Sequence, residues 1–214
     1  MENEETLFLL NESEQRVIGV LIEKSKTTPD YYPMTIAAIT TACNQKTSRN
    51  PIVTYNEETV ILTLNSLKIK GLTSTATGGS SRNIKYKHNL AILYPLLPAE
   101  VVLICLLLLR GPLTPGELNT NSARLYEYES IEEVQEILHK LAAGKPSYVK
   151  QLAKKTGQKE SRYIHLFGQE TEETESTTME ISYNDPSDLQ IRVTRLEQEL
   201  EEIKEIVNLL MNQS

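Results

Sequence analysis

The chain has 214 residues, 39% of them hydrophobic, no Trp, and a formal net charge of −7. A chain of this length with modest apolar content accommodates two cores of roughly 75 residues better than one large core. The only cysteines, Cys43 and Cys105, are too few for a disulfide framework and lack metal-ligand spacing. They read as small buried apolar residues in a reducing cytoplasm, which argues against a secreted, disulfide-stapled protein.

The charge is unevenly spread. Residues 1–168 hold 19 Lys/Arg and 17 Asp/Glu, whereas 169–214 hold 3 and 12. Within 11–89 there are 10 basic and 6 acidic residues. A mildly basic body with an acidic tail is compatible with nucleic-acid contact. The acidic opening Met1-Glu2-Asn3-Glu4-Glu5 predicts no secretory leader. The apolar run 101–109 falls short of the ~20 residues needed to span a membrane, so it is expected to be a helix buried on all sides and no membrane partner is expected.

In chain order, a first helix is predicted over 12–24, with Asn11 and Glu14 as a capping box and Val17, Val20 and Leu21 on one face. Thr27-Thr28-Pro29-Asp30 ends it. Tyr32-Pro33 is expected to open a second helix running through Met34, Ile36 and Ile39 to Cys43. After the polar loop 44–51, a third helix over 56–70 carries Val60, Ile61, Leu64 and Leu67 at helical spacing and stops at Gly71. Strands over 72–75 and 84–88 flank Gly78-Gly79 and form a hairpin with a polar tip.

The same order then repeats. A helix over 99–110 ends at Gly111-Pro112. Thr114 caps a short helix that has Pro115 at its first position and Glu117 at its third. Ser130 and Glu133 cap a third helix with Ile131, Val134, Ile137, Leu138 and Leu141 on its apolar face, and a second hairpin spans 148–150 and 162–167. Tyr86-Lys87-His88 and Tyr163-Ile164-His165 fall at matching places. Three helices closed by a hairpin, twice over, predict a mainly α protein with small β-hairpins (α+β). Two tandem winged-helix domains are expected, at 11–90 and 97–167, with separate small cores. A flexible acidic linker is expected at 168–187. A coiled-coil helix follows at 188–212, where Leu189, Val193, Leu196, Leu200, Ile203, Val207 and Leu210 alternate by four and three. This seam predicts a homodimer; the alternative is a helix packed back on its own body.

Several of these segments are similar to a known group. Leu21-Ile22-Glu23-Lys24, Thr27-Thr28-Pro29-Asp30, Tyr32-Pro33 and Thr41-Ala42-Cys43-Asn44-Gln45-Lys46, with Arg49 and Pro51, resemble the YceH-like family of uncharacterised bacterial proteins. So do Leu109-Arg110-Gly111-Pro112, Thr114-Pro115-Gly116-Glu117-Leu118, Gly157-Gln158, Arg162-Tyr163 and His165-Leu166. The resemblance covers 11–167 and implies a tandem winged-helix fold but no settled activity. Where that family tends to carry arginines after Glu117-Leu118, this chain has Asn119-Thr120-Asn121, which lowers positive charge in the second copy.

Nothing in the sequence points to catalysis, a metal or a cofactor. There are three His (88, 139, 165) and three Asp (30, 185, 188), and no phosphate loop, nucleophile elbow or zinc-protease motif. His88 and His165 occupy equivalent places, which favours a structural role. The basic residues are more informative. Lys46 and Arg49 precede the third helix, and Arg82, Lys85 and Lys87 lie on the first hairpin, where in a winged helix they would neutralise DNA phosphates. None of these five is expected in the core. Lys154, Lys155, Lys159 and Arg162 form a matching cluster on the second hairpin. Against groove insertion, the third helices lead with Glu57 and Glu58, and with Glu132 and Glu133. The expected function is therefore double-stranded DNA binding of a regulatory kind, without enzyme activity. The alternative is a protein-interaction scaffold that binds a protein partner through the same fold.

Overall fold

Asn11 fixes where the first helix begins. Its Oδ1 accepts from the Glu14 amide at 2.9 Å, and Glu14 Oε2 accepts from the Asn11 amide at 2.9 Å, closing the expected capping box. The computed structural model describes residues 7–76, 84–154 and 160–168, all within one unit, Met1–Gln169. The acidic segment and the whole heptad seam, from Leu189 to Leu210, lie outside the described residues.

The first copy comprises α1 (Glu12–Thr27), α2 (Ile36–Cys43), α3 (Glu57–Ile69), β1 (Thr73–Ala76) and β2 (Lys85–His88). A short helix, α4 (Leu90–Leu93), follows. The second copy comprises α5 (Pro98–Arg110), α6 (Pro115–Ser122), α7 (Ile131–Ala143), β3 (Val149–Gln151) and β4 (Tyr163–His165). Each hairpin is a two-stranded antiparallel sheet, with Thr73 opposite His88 and Val149 opposite His165. The architecture is thus mixed α+β and mainly helical, with two small hairpins.

The start of the second helix differs from the sequence expectation. Tyr32 and Pro33 do not open it; Thr35 caps it, and Met34 exchanges two backbone hydrogen bonds with Tyr86 at 3.0 and 2.8 Å. Tyr32 is extended, as a residue before proline is biased to be. The second copy does the same: Leu113 pairs with Tyr163 at 3.1 and 2.8 Å, and Thr114 caps α6. Pro33-Met34-Thr35 and Pro112-Leu113-Thr114 are one repeated device. In it the proline keeps the chain extended, the apolar residue joins the hairpin edge, and the threonine starts the helix. Aligning the two copies on Pro-apolar-Thr would have exposed it.

Residues of both copies form a single buried cluster, running from Val17, Ile18 and Leu21 through 101–109 to Leu138, Val149 and Phe167. The expected separate cores are therefore replaced by one. The cause is α5. It is apolar on every face, so it packs against α1 on one side and α6, α7 and β4 on the other. Gly19 permits the α1–α5 approach: a Cβ there would sit 2.8 Å from Leu109 Cδ2 and 2.9 Å from its Cγ. Cys105 donates its thiol to the Gly19 carbonyl at 3.3 Å. Leu10 extends the seam, its amide donating to the Phe167 carbonyl at 2.6 Å.

Candidate nucleic-acid interface

The loop between α2 and α3 is held from below. Asn44 bridges it, accepting from the Tyr55 amide and donating to the Tyr55 carbonyl, both at 2.8 Å. Ser48 adopts a positive φ of 61°, and its hydroxyl accepts from Arg110 Nη2 at 2.7 Å. The Asn50 amide donates to the Leu109 carbonyl at 2.8 Å, so the loop of the first copy is seated on the end of α5.

Arg49 is the keystone of this loop, and its position corrects the sequence expectation. Its Nη1 and Nη2 grip Glu23 Oε1 and Oε2 at 3.0 and 2.6 Å, and it also donates to the Ala42 and Ser48 carbonyls and to Gln45 Oε1. Its side chain is 0% exposed and that of Glu23 14%. Burial works against the charge on Glu23, but the paired guanidinium outweighs it and holds the carboxyl below its usual range. A guanidinium so engaged has no surface to offer a phosphate, so Arg49 leaves the candidate set. A matching fork in the second copy joins Arg162 to Glu117 at 3.0 and 3.0 Å, so Arg162 stands in the second-hairpin cluster with its charge already paired. Sequence reasoning missed both pairs because Glu23 and Arg49 are 26 residues apart, and Glu117 and Arg162 are 45 apart.

Of the other predicted residues, Lys46 is exposed at the head of the loop and Lys87 is exposed on β2 opposite Ser74. Lys85 is half-buried at the start of β2, opposite Ala76. None of the three has an ion-pair partner among the described residues. Arg82, Lys155 and Lys159 lie outside the described residues, and Lys154 is exposed. Lys85 and Lys87 occupy one strand, and Lys46 a separate loop.

The two equivalent histidines end the second strand of each hairpin, His88 on β2 and His165 on β4. Burial depresses both to about 4, so both are neutral, and each has a buried Nδ1 with no hydrogen-bond partner. The His88 ring contacts Ser25 Oγ at 3.4 Å and lies against Tyr32. Among the described residues, no group of three or more His, Cys, Asp or Glu is placed to hold a metal ion. No described helix is long and apolar enough to cross a membrane.

The fold and surface define a protein built from two helical triplets, each closed by a hairpin, around one shared helix. Residues 10–158 match the family described as "Protein of unknown function, DUF480". The chain is 44% identical to a UPF0502 protein of Shewanella piezotolerans over 216 residues, 96% of this chain and 99% of that one. It is 45% identical to a UPF0502 protein of Opitutus terrae, covering 77% of this chain and 72% of that one. It is 43% identical to a UPF0502 protein of Shewanella baltica, covering 78% and 77%. The chain belongs to this DUF480/UPF0502 family of uncharacterised bacterial proteins, in agreement with the YceH-like resemblance.

Proposed function

We propose that this chain is a regulatory DNA-binding protein of two tandem winged-helix units, 11–90 and 97–167, that acts by binding and not by catalysis. The single observation that carries the reading is that Lys46, Lys85 and Lys87, on the loop and hairpin flanking α3, have no carboxylate partner among the described residues. Arg82 belongs to the same hairpin in sequence. The Pro-apolar-Thr segment that bridges to each hairpin supports the winged-helix description, since it lies where such a unit places its third strand. The free, buried thiols of Cys43 and Cys105 are in keeping with a cytoplasmic location. Homodimerisation through Leu189, Val193, Leu196, Leu200, Ile203, Val207 and Leu210 belongs to the same reading.

Binding that rests on phosphates is steeply salt-dependent, each neutralised phosphate adding about 0.9 to the log–log slope. A mobility shift with mixed-sequence duplex DNA tests it. Replacing Lys46, Arg82, Lys85 and Lys87 by Ala should abolish the shift and leave the fold intact. Deleting the acidic segment 169–185 should tighten binding. No shift at low salt, with or without that segment, rejects DNA as the ligand. The second reading, an interaction scaffold, draws on a different feature: the outer face of α3 is apolar at its centre and acidic at its leading end, a poor match to a DNA groove.

A further inference from the structure

We propose that the outer face of α3 is a two-fold interface with a second copy of this chain. The sequence pattern placed Ile61 in the core, yet Ile61 is 38% exposed, Leu62 64% and Ile69 88%. Burial of α3 falls on Val60, Thr63, Leu64 and Leu67. The opposite stripe, Glu58, Leu62, Asn65 and Ile69, is exposed at every position and follows helical spacing, with Ile61 and Lys68 along one side. Two large aliphatic side chains on this stripe and a third beside it are more than the scattered apolar exposure of an ordinary surface.

The charges on this stripe identify the occupant. Glu58 stands at the start of α3 and Lys68 at its end, five residues to either side of Thr63, and neither has an ion-pair partner among the described residues. If two α3 helices pack antiparallel about a two-fold axis at the level of Thr63, Glu58 of each copy meets Lys68 of the other. The two Leu62 side chains straddle the axis, about 3 Å apart along the helices, and Ile61 of each copy lies level with Asn65 of the other. A parallel pairing would instead set Glu58 against Glu58. The face is thus its own complement, which is the requirement of an isologous contact. DNA is a poor occupant, because Glu57 and Glu58 would face phosphates. The 13-residue helix is about 20 Å long, so the contact alone covers less than the roughly 800 Å² per partner of a standard interface. It is expected to be weak and concentration-dependent. It uses no residue of the heptad seam and none of the lysines assigned to DNA.

The test is made in the full-length chain carrying Leu196→Lys and Ile203→Lys, so that the heptads contribute nothing. Sedimentation velocity across rising concentration should show a monomer–dimer equilibrium. Leu62→Glu should abolish it, with the far-ultraviolet circular dichroism unchanged. Glu58→Lys and Lys68→Glu should each weaken association by about tenfold, and the two together should restore it. Independently, Leu62→Cys in the unaltered chain should form an intermolecular disulfide on mild oxidation, since Cys43 and Cys105 are buried. Ile92→Cys, exposed on α4, should not. A heptad-disabled chain that stays monomeric at millimolar concentration, a dimer indifferent to Leu62→Glu, or charge reversals that do not compensate would overturn the proposal. None of these results bears on the mobility-shift test, so the two readings fail separately.

Discussion

Replacing Arg49 by Ala should cost the fold about 3 kcal/mol. Taking one partner from a buried ion pair typically destabilises by about 3–5 kcal/mol, because the remaining charge is left without compensation. Here the lower end applies. Glu23 keeps Lys24 at 3.5 Å and the field of Arg110, which soften the loss. Acting in the other direction, Arg49 also holds the Ala42 and Ser48 carbonyls and Gln45, so its removal unties the loop that carries Lys46. At about 2–4 °C per kcal/mol for a chain of this size, the melting temperature should fall by roughly 6–12 °C. Urea unfolding followed by circular dichroism measures the change directly, as a lower midpoint at constant slope. Arg49→Lys keeps the charge but loses the fork, and should fall between. Combining Glu23→Leu with Arg49→Met should recover much of the loss, since an apolar pair leaves no orphaned charge. The sign with pH follows from the depressed carboxyl of Glu23. Its contribution is complete above the ordinary carboxylate range and is lost as pH falls through the folded value, so the gap between wild type and Arg49→Ala should narrow in acid. An Arg49→Ala protein that unfolds at the wild-type midpoint near neutral pH would show that the pair is not structural, and would return Arg49 to the candidate DNA contacts.

Three further outcomes are expected. Gly19→Val should destabilise by more than about 1–3 kcal/mol, because the added atoms meet buried Leu109 and Leu108; Gly19→Ala should lose less, as the ~1 kcal/mol helix-propensity gain of Ala offsets part of the overpacking. Calorimetry of the two variants would reveal a mistake if either raised the melting temperature. His88 and His165 are held neutral, with folded values near 4 against an ordinary 6.5, so stability should be complete above about 6.5 and decline as pH falls from there toward 4. A chain with both replaced by Gln should have a flatter stability profile across that window, and an unaltered slope would rule out their titration as its source. Arg162→Ala should cost less than Arg49→Ala, about 0–1 kcal/mol by urea midpoint, because the side chains of Arg162 and Glu117 are 35% and 40% exposed and water screens the pair.

Local signals settled most of the element order, and tertiary contacts settled the roles of individual residues. Asn11, Thr114 and Ser130 announce helix starts because a side chain that accepts from an amide three residues on is a local interaction, and the structure has all three. Gly71 announces a stop, and takes the left-handed conformation, φ 73°, that a side chain would resist. The repeat itself was visible as a recurrence of these signals. The pairing of Met34 with Tyr86 was not, since an isolated bridge leaves no periodicity to read.

The charged residues show the same division. The sequence by itself determined that basic residues crowd the loop before α3 and the hairpin after it, because composition along a chain needs no folding to be counted. Which of them face solvent was decided only when α1 brought Glu23 beside Arg49, across 26 residues of sequence, and turned a presumed surface cation into the anchor of the loop. Tertiary structure also decided that the two copies share one core. The apolar run 101–109 of α5 can be recognised as buried from its residues alone, but burial on every side needs neighbours on every side, and those come from both copies at once.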